Sequence, residues 1–351
     1  MRAAVWYGKR RVVLEERPFP VPAAHQALVR VEMCGLCGSD LEEYLDGPVV
    51  ARPGTVLGHE IVGTVIKAAA DGSGPPQGTR VVVDVVNGCG RCRWCRAGEE
   101  GLCADLAVTG LHLDGGLAEY VVAPACRLIS LPGGMPFSVG ALAEPLAVAV
   151  RAFRKTPALA GRRVVIVGGG TIGMLCAQVA VDYGAATVAV VEPDVGRRAL
   201  VAAWGVATVW ETDAAHRRSE IYRLTGGDGA DVVVECVGRP GSVAEALNFV
   251  APAGTVVALG VSPSPEPINL LSLVLKERTL VGSAAHRWDT DVTHAVKLLA
   301  DGAVDVAPMV THVFALDDVT KAFTMLAAGA ASAIKILVRC TGPDLSQELL
   351  S

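Results

Sequence analysis

Through the first 130 or so residues the chain runs in short Val-rich segments broken by Gly and Pro, among them ALVRVEMCG, IVGTVIKA, TRVVVDVV and LAEYVVAP. Apolar, β-branched runs of this length bounded by turn formers predict strands, hence a β-rich first domain in which helices are scarce. From about residue 138 the texture changes to one long apolar stretch of helical character, SVGALAEPLAVAVRAFRK,. Strand-like and helix-like segments then alternate: RRVVIVG, TIGMLCAQVAVDYG, TVAVVEP, VGRRALVAAWG, DVVVECVG, SVAEALNFV and GTVVALG. Repeated β-α-β order predicts a parallel sheet wound by right-handed crossovers. After about residue 288, helical THAVKLLADG and VTKAFTMLAAG and the strand AIKILVRC are expected to return to the first domain. The organisation expected is an α/β chain with a β-rich catalytic domain over 1–150, a doubly wound domain over 151–287 and a returning C-terminal segment over 288–351.

Length agrees with this division, because 351 residues exceed the size at which one core usually stops growing,. Hydrophobic residues at 51% and 39 glycines suit a compact enzyme with many tight turns and argue against disorder,. A net charge of −5, from 31 basic and 36 acidic residues mixed along the chain, offers no basic face to nucleic acid or anionic lipid,. Small molecules are the expected partners. The N-terminus turns charged before any apolar run reaches signal-peptide length, and no stretch gives roughly 18 uninterrupted apolar residues, so a soluble, cytoplasmic protein without membrane contact is expected. Ten cysteines in such a chain point to metal binding or catalysis rather than disulfides,.

Four of them, Cys89, Cys92, Cys95 and Cys103, stand in NGCGRCRWCRAGEEGLC with C-x2-C-x2-C-x7-C spacing. Short loops of this kind aim four thiolates at one tetrahedral zinc, and a site filled by sulfur on all four sides leaves no position for substrate. A structural zinc is expected here; iron–sulfur motifs use other spacings.

A second metal site is suggested by CGLCGSDLEEY and, about twenty residues later, VLGHEIVG. They offer a thiol, Cys34 or Cys37, and an imidazole, His59, with the carboxylates Asp40 and Glu60 beside them,. Glu144 is a carboxylate in an otherwise apolar run, where an unpaired charge is costly and a metal would supply its partner,. Cysteine, histidine and carboxylate leave one position open, and an open zinc is a Lewis acid toward an alcohol or carbonyl. Ser39 places a hydroxyl where it could take up the alcohol proton.

The string VVIVGGGTIGML puts Gly168, Gly170 and Gly173 in G-x-G-x-x-G register after a β-branched strand and at the opening of a helix,. The glycines let the backbone approach a pyrophosphate, which then faces the free N–H groups of the helix start. Glu192 ends the next strand, where a carboxylate accepts hydrogen bonds from ribose hydroxyls and repels a 2′-phosphate. NAD(H) is therefore expected in preference to NADP(H), although Arg197 and Arg198 stand nearby.

These elements, CGLCGSD, GHE, the four-cysteine lobe, AEPLAVAVRA, VGGGTIG and ECVG, resemble those of the zinc-dependent medium-chain dehydrogenases/reductases, most of all the polyol branch around sorbitol and butanediol dehydrogenases. The resemblance covers nearly the whole chain. It implies a GroES-like first domain, a Rossmann second domain, two zinc ions per chain and a homodimer or homotetramer. It selects Cys37 over Cys34 as ligand and makes Ser39 the proton-relay hydroxyl. In that branch the two glutamates trade places as inner and outer partners of the metal, so Glu60 and Glu144 are both carried over. It also brings Tyr44, Arg287 and Trp288 to the substrate pocket and Arg197 to the adenosine ribose. Thr171, Ile172, Cys236, Val237 and Gly260 complete the expected cofactor set. One departure is that Glu42 stands where relatives often carry a histidine at the outer end of the proton path.

The activity expected is reversible oxidation of a secondary alcohol, of polyol, sugar or cyclitol type, with hydride passed to the nicotinamide. A zinc-independent enoyl or quinone reductase of the same fold, or a nucleotide sensor without catalysis, are the alternatives. Intact Cys37, His59 and Glu144 argue against both.

Overall fold

A computed structural model of the chain describes residues 1–210, 213–262, 264–329 and 333–341. They divide into two compact units. One comprises Met1–Glu144, His286–Ala300 and the chain from Val306 onward; the other comprises Pro145–Ala285 with Asp301–Asp305.

The first unit is built on a seven-stranded sheet. Its central strand, Gln26–Gly35, is long enough to serve three neighbours. One edge pairs along its length with Glu60–Lys67; the other pairs first with Tyr120–Pro124 and then, from Met33, with Lys335–Arg339. Gly35 therefore faces Glu60 on one side and Leu337 on the other. That register brings the C-terminal strand against the segment carrying His59 and Glu60. Val29, Val31, Val62, Val65, Val81 and Val83 fill the interior with almost no exposure, as β-branched side chains on a pleated surface do,. The nine-residue helix Gly38–Asp46 interrupts this strand-rich region.

The second unit holds a six-stranded sheet in which every pairing is parallel. Its order is Ala207–Val209, Thr187–Val191, Arg163–Val167, Ala230–Glu235, Val250–Ala258, Thr279–Gly282. The order reverses between Arg163–Val167 and Ala230–Glu235, and crevices beyond the carboxyl ends of strands at such a reversal are where nucleotides bind in open parallel sheets. Val165, Val167, Val233, Val256 and Phe249 are among the buried residues of its core. Near-continuous apolar strands are what a sheet covered on both faces requires.

The apolar stretch read as one helix is two. Phe137–Gly140 is a single turn, and the long helix begins again at Ala143 and runs to Phe153. Pro145 explains the break: proline has no N–H to donate and clashes with the preceding turn, so it is tolerated only at the start of a helix. The restart puts Glu144 in a first turn.

Candidate metal and cofactor sites

The short strands Val86–Asn87 and Ala107–Val108 pair antiparallel and close the loop that carries the four cysteines. The four sulfurs lie within 4.8 Å of one another, with Cys92–Cys95 at 3.5 Å and Cys89–Cys95 at 4.0 Å. Sulfurs at the corners of a tetrahedron with bonds of about 2.3 Å to zinc stand about 3.8 Å apart, so the cage fits the ion. The Cys95 and Cys89 amides donate to the sulfurs of Cys92 and Cys103, each at 3.4 Å. N–H groups of Arg91 and Cys92 hold the Cys89 thiol down at about 6. Burial and the Cys92 thiol push Cys95 up to about 12. The loop alone thus stabilises only part of the negative charge of four thiolates, and a divalent cation held there would stabilise the rest.

Cys37 caps the helix Gly38–Asp46, and Asp40 in its first turn is fully buried. One Asp40 oxygen accepts the Cys37 amide at 2.9 Å; the other accepts the Gly58 amide at 3.1 Å and lies 3.5 Å from His59 Nδ1. A single carboxylate therefore ties both loops together and faces the imidazole Nδ1, which makes no hydrogen bond among the described residues. On the opposite side of the ring, Ser39 Oγ is 3.3 Å from His59 Nε2. Burial disfavours an imidazolium here, yet Asp40 and Cys37 outweigh it and raise the His59 pKa well above its ordinary value. Such surroundings favour a cation, and the Cys–His donor pair suits zinc.

The two glutamates differ in what holds them. Both oxygens of Glu60 accept from the buried ammonium of Lys335, at 2.6 and 2.7 Å, and Lys335 also donates to the Leu36 carbonyl at 3.0 Å. A side chain at Gly35 would overlap this carboxylate, so only glycine fits there. Burial and the neighbouring Glu144 raise the Glu60 carboxyl to about 7 against the pull of Lys335. Bidentate contact with a buried ammonium whose own pKa is raised keeps the pair ionised,. Glu144 is held from one side only, by His286 Nε2 at 3.1 Å from Oε1, and its other oxygen makes no hydrogen bond among the described residues. Despite burial, His286 and then His59 lower its pKa. Cys37 acts electrostatically on His59, and His59 on Glu144, but among the described residues only the four cysteines form a group of three or more potential ligands drawn together within 4.8 Å.

Asp84, Lys335 and His286 escaped the reading of the sequence. The first two had a signal, since a lone Asp in VVVDVV and a lone Lys in AIKILVRC are charges inside apolar strand patterns; His286, in SAAHRWD, had none. Glu42 faces solvent on the helix Gly38–Asp46; partial shielding, with Glu43 and Asp46, raises its carboxyl pKa. Tyr44 is 5% exposed and stacks on Phe323 at 5.0 Å, inside helix–helix packing. The Arg287 guanidinium lies 3.3 Å from Asp289 and 3.8 Å from Glu99 of the cysteine lobe. Trp288 lies beneath the Arg127 guanidinium at 5.2 Å.

In the second unit, Gly168 takes φ +99°, a conformation glycine adopts without strain, and Gly170 caps the helix that Thr171, Ile172 and Gly173 open,. A side chain at Gly173 would overlap the Gly168 carbonyl, so the helix can approach the strand this closely only with glycine. Glu192 is buried and accepts the Gly169 amide at 2.6 Å and the Asp194 amide at 2.9 Å. Arg198 donates to the carbonyls of Glu192 and Pro193, both at 2.7 Å, so its guanidinium braces the turn. Arg197 sits in the first turn of the next helix, its amide capped by Asp194 at 2.8 Å. The amides of Val237 and Gly238 donate to Glu235 at 2.6 and 2.9 Å, and Gly260 packs against Gly238. Cys236 is half-buried, and a hydrogen bond with Cys176, then burial, push its thiol well up.

The family described as alcohol dehydrogenase GroES-like domain matches residues 23–133, and the one described as zinc-binding dehydrogenase matches residues 171–301. The chain is 32% identical to a sorbitol dehydrogenase of Halalkalibacterium halodurans over 335 residues, 95% of this chain and 96% of that relative. A zinc-binding dehydrogenase from Sinorhizobium meliloti, solved with NADP bound, superposes with a TM-score of 0.90 at 31% identity, covering 96% of this chain and 98% of that one. The 2R,3R-butanediol dehydrogenase of Bacillus subtilis superposes with a TM-score of 0.88 at 29% identity, covering 96% and 99%. No described helix is long and apolar enough to cross a membrane.

Proposed function

The chain belongs to the zinc-binding alcohol dehydrogenase family, whose members are NAD(P)-dependent oxidoreductases, and on that footing we propose that it interconverts a secondary alcohol and a ketone of polyol, sugar or cyclitol type. The observation that supports this most directly is the buried cluster in which Asp40 joins the Cys37 amide to the Gly58 amide and faces His59 while Ser39 lies against the imidazole. Cys37, His59 and Glu144 would hold a catalytic zinc, and Cys89, Cys92, Cys95 and Cys103 a structural one, two ions per chain. Glu144 takes the ligand role because one of its oxygens is uncommitted, whereas Lys335 engages both oxygens of Glu60 and keeps it as the outer partner.

Zinc bound there supplies a Lewis acid that acidifies the substrate hydroxyl. Ser39 Oγ takes up that proton and hands it outward, and Glu42, on the same helix, receives it at the solvent side,. A nicotinamide cofactor held at the Gly168–Gly173 turn would supply the acceptor for the hydride leaving the carbinol carbon,. NAD is favoured over NADP because Glu192 places a buried carboxylate after the second strand of the sheet and Arg198 spends its guanidinium on backbone carbonyls,.

A homodimer suits the second unit. Leu270, Leu271, Val274 and Leu275 of the helix Leu270–Leu275 are 65%, 68%, 61% and 74% exposed. The strand Thr279–Gly282 that follows ends the parallel sheet with an open edge. Apolar patches and open edges of this kind are covered by a partner chain.

A panel of polyols, sugars and simple secondary alcohols, assayed with NAD and NADP by absorbance of the reduced cofactor, tests the reading. Turnover of vicinal secondary alcohols with NAD is expected, together with loss of activity and of one of two zinc ions in Cys37→Ala. A Cys37→Ala protein that still oxidises alcohols would refute it.

A further inference from the structure

Glu144 is connected to the cysteine lobe by a buried chain of alternating charges within the first unit. Its Oε1 meets His286 Nε2 at 3.1 Å, and His286 has no solvent exposure on its side chain. His286 Nδ1 faces Asp84 Oδ1 at 3.5 Å and makes no hydrogen bond of its own. Asp84, also without exposure, accepts from Arg127 Nη1 at 3.2 Å and from the Val86 amide at 3.3 Å. The other arm of the Arg127 guanidinium is paired with Glu100, in the turn Glu100–Leu102 just before Cys103. Val86 opens the strand pair that closes the lobe. Asp84 and Arg127 are thus each held on two sides, whereas Glu144 is held through one oxygen only.

A carboxylate held by one oxygen has its remaining oxygen aimed by that contact. We propose that His286 is the positioning residue for Glu144, setting the direction of its free oxygen toward the Cys37–His59 site, and that Asp84 and Arg127 anchor this setting to the four-cysteine lobe. The inference rests on the reading of Glu144 as a zinc ligand. It assigns the lobe a use beyond holding its own loop, because the loop that the structural ion orders also carries Glu100, the far end of the chain. Buried partners that orient a metal ligand change metal affinity about 10–100-fold when removed.

The test uses the full chain with zinc in the cysteine lobe and the catalytic site titrated with Co²⁺, followed by the visible d–d absorption. His286→Ala is expected to weaken Co²⁺ binding at that site about 10–100-fold and to shift the band, while the lobe keeps its zinc. His286→Gln, which retains a donor toward Glu144, recovers most of the loss. Asp84→Asn keeps the shape of the network and weakens binding in the same direction. Affinity within twofold of wild type and an unchanged band in His286→Ala overturn the proposal; if that variant does not fold, Asp84→Asn decides by the same two criteria. Glu144→Gln separates the two levels of inference. Loss of the Co²⁺ site in Glu144→Gln with intact sites in the His286 and Asp84 variants refutes only the positioning role, whereas an intact site in Glu144→Gln refutes the ligand assignment beneath it.

Discussion

Replacing Lys335 by methionine should destabilise the first unit out of proportion to the single charge removed. The Lys335 and Glu60 side chains are 3% and 0% exposed, and the ammonium is the hydrogen-bond partner of both Glu60 oxygens. In Lys335→Met the carboxylate keeps its burial and loses both bonds, while Glu144 nearby adds repulsion. Breaking a buried pair from one side costs about 3–5 kcal/mol. For a unit of about 200 residues, an unfolding entropy of about 2.1 cal/mol/K per residue turns that cost into a fall in Tm of about 7–12 °C,. Calorimetry on the zinc-loaded protein measures it. The double variant Lys335→Met/Glu60→Gln removes the stranded charge and should recover most of the loss, since replacing both partners of a buried pair is often neutral. A fall of less than about 2 °C in the single variant, or a double variant no more stable than the single one, would refute the reasoning.

Three further outcomes are expected. Cys103→Ser removes one of the four sulfurs, so the protein should bind one zinc fewer by elemental analysis and the lobe should be cut first in limited proteolysis,. Glu192→Ala removes both the charge and the acceptor of the Gly169 and Asp194 amides, and the NADP-to-NAD ratio of kcat/KM should rise about tenfold, equivalent to about 1.4 kcal/mol,. Glu42 carries a carboxyl with a raised pKa, so as a proton acceptor it is lost at a higher pH than an ordinary glutamate on acidification. Glu42→Gln should therefore remove the acid limb of the pH profile for alcohol oxidation, and an unchanged profile would take Glu42 off the proton path.

What could be read in the sequence is what short chain separation enforces. The four cysteines fall within fifteen residues, so loop closure alone brings them together, and the glycine turn is read from a strand, a turn and a helix that touch one another in order. The partners of the two glutamates are of another kind. Lys335 and Glu60 are 275 positions apart and His286 and Glu144 are 142 apart; no local pattern joins them. Only sheet register does so for the first pair. Gly35 pairs with Glu60 across one edge of its strand and with Leu337 across the other, which places Lys335 within reach of the carboxylate. The helix break before Glu144 was legible in Pro145 but needed its position in the turn to be weighed against the apolar run around it.

The same distinction decides which glutamate can serve the metal. Composition and motif treat Glu60 and Glu144 alike, because each is a carboxylate in an apolar setting and each has a matching role in the polyol branch. What separates them is how many oxygens the fold has already used. A strand contributed from the far end of the chain engages both on Glu60, and a histidine from the segment that rejoins the first unit engages one on Glu144. Exchanging the two holders is then a sharper discriminator than deleting either carboxylate. In Lys335→Met the Glu60 oxygens are released, so a Lys335→Met/Glu144→Gln protein should regain some Co²⁺ binding at the Cys37–His59 site relative to Glu144→Gln alone. If the two bind alike, hydrogen-bond occupancy is not what ranks the glutamates.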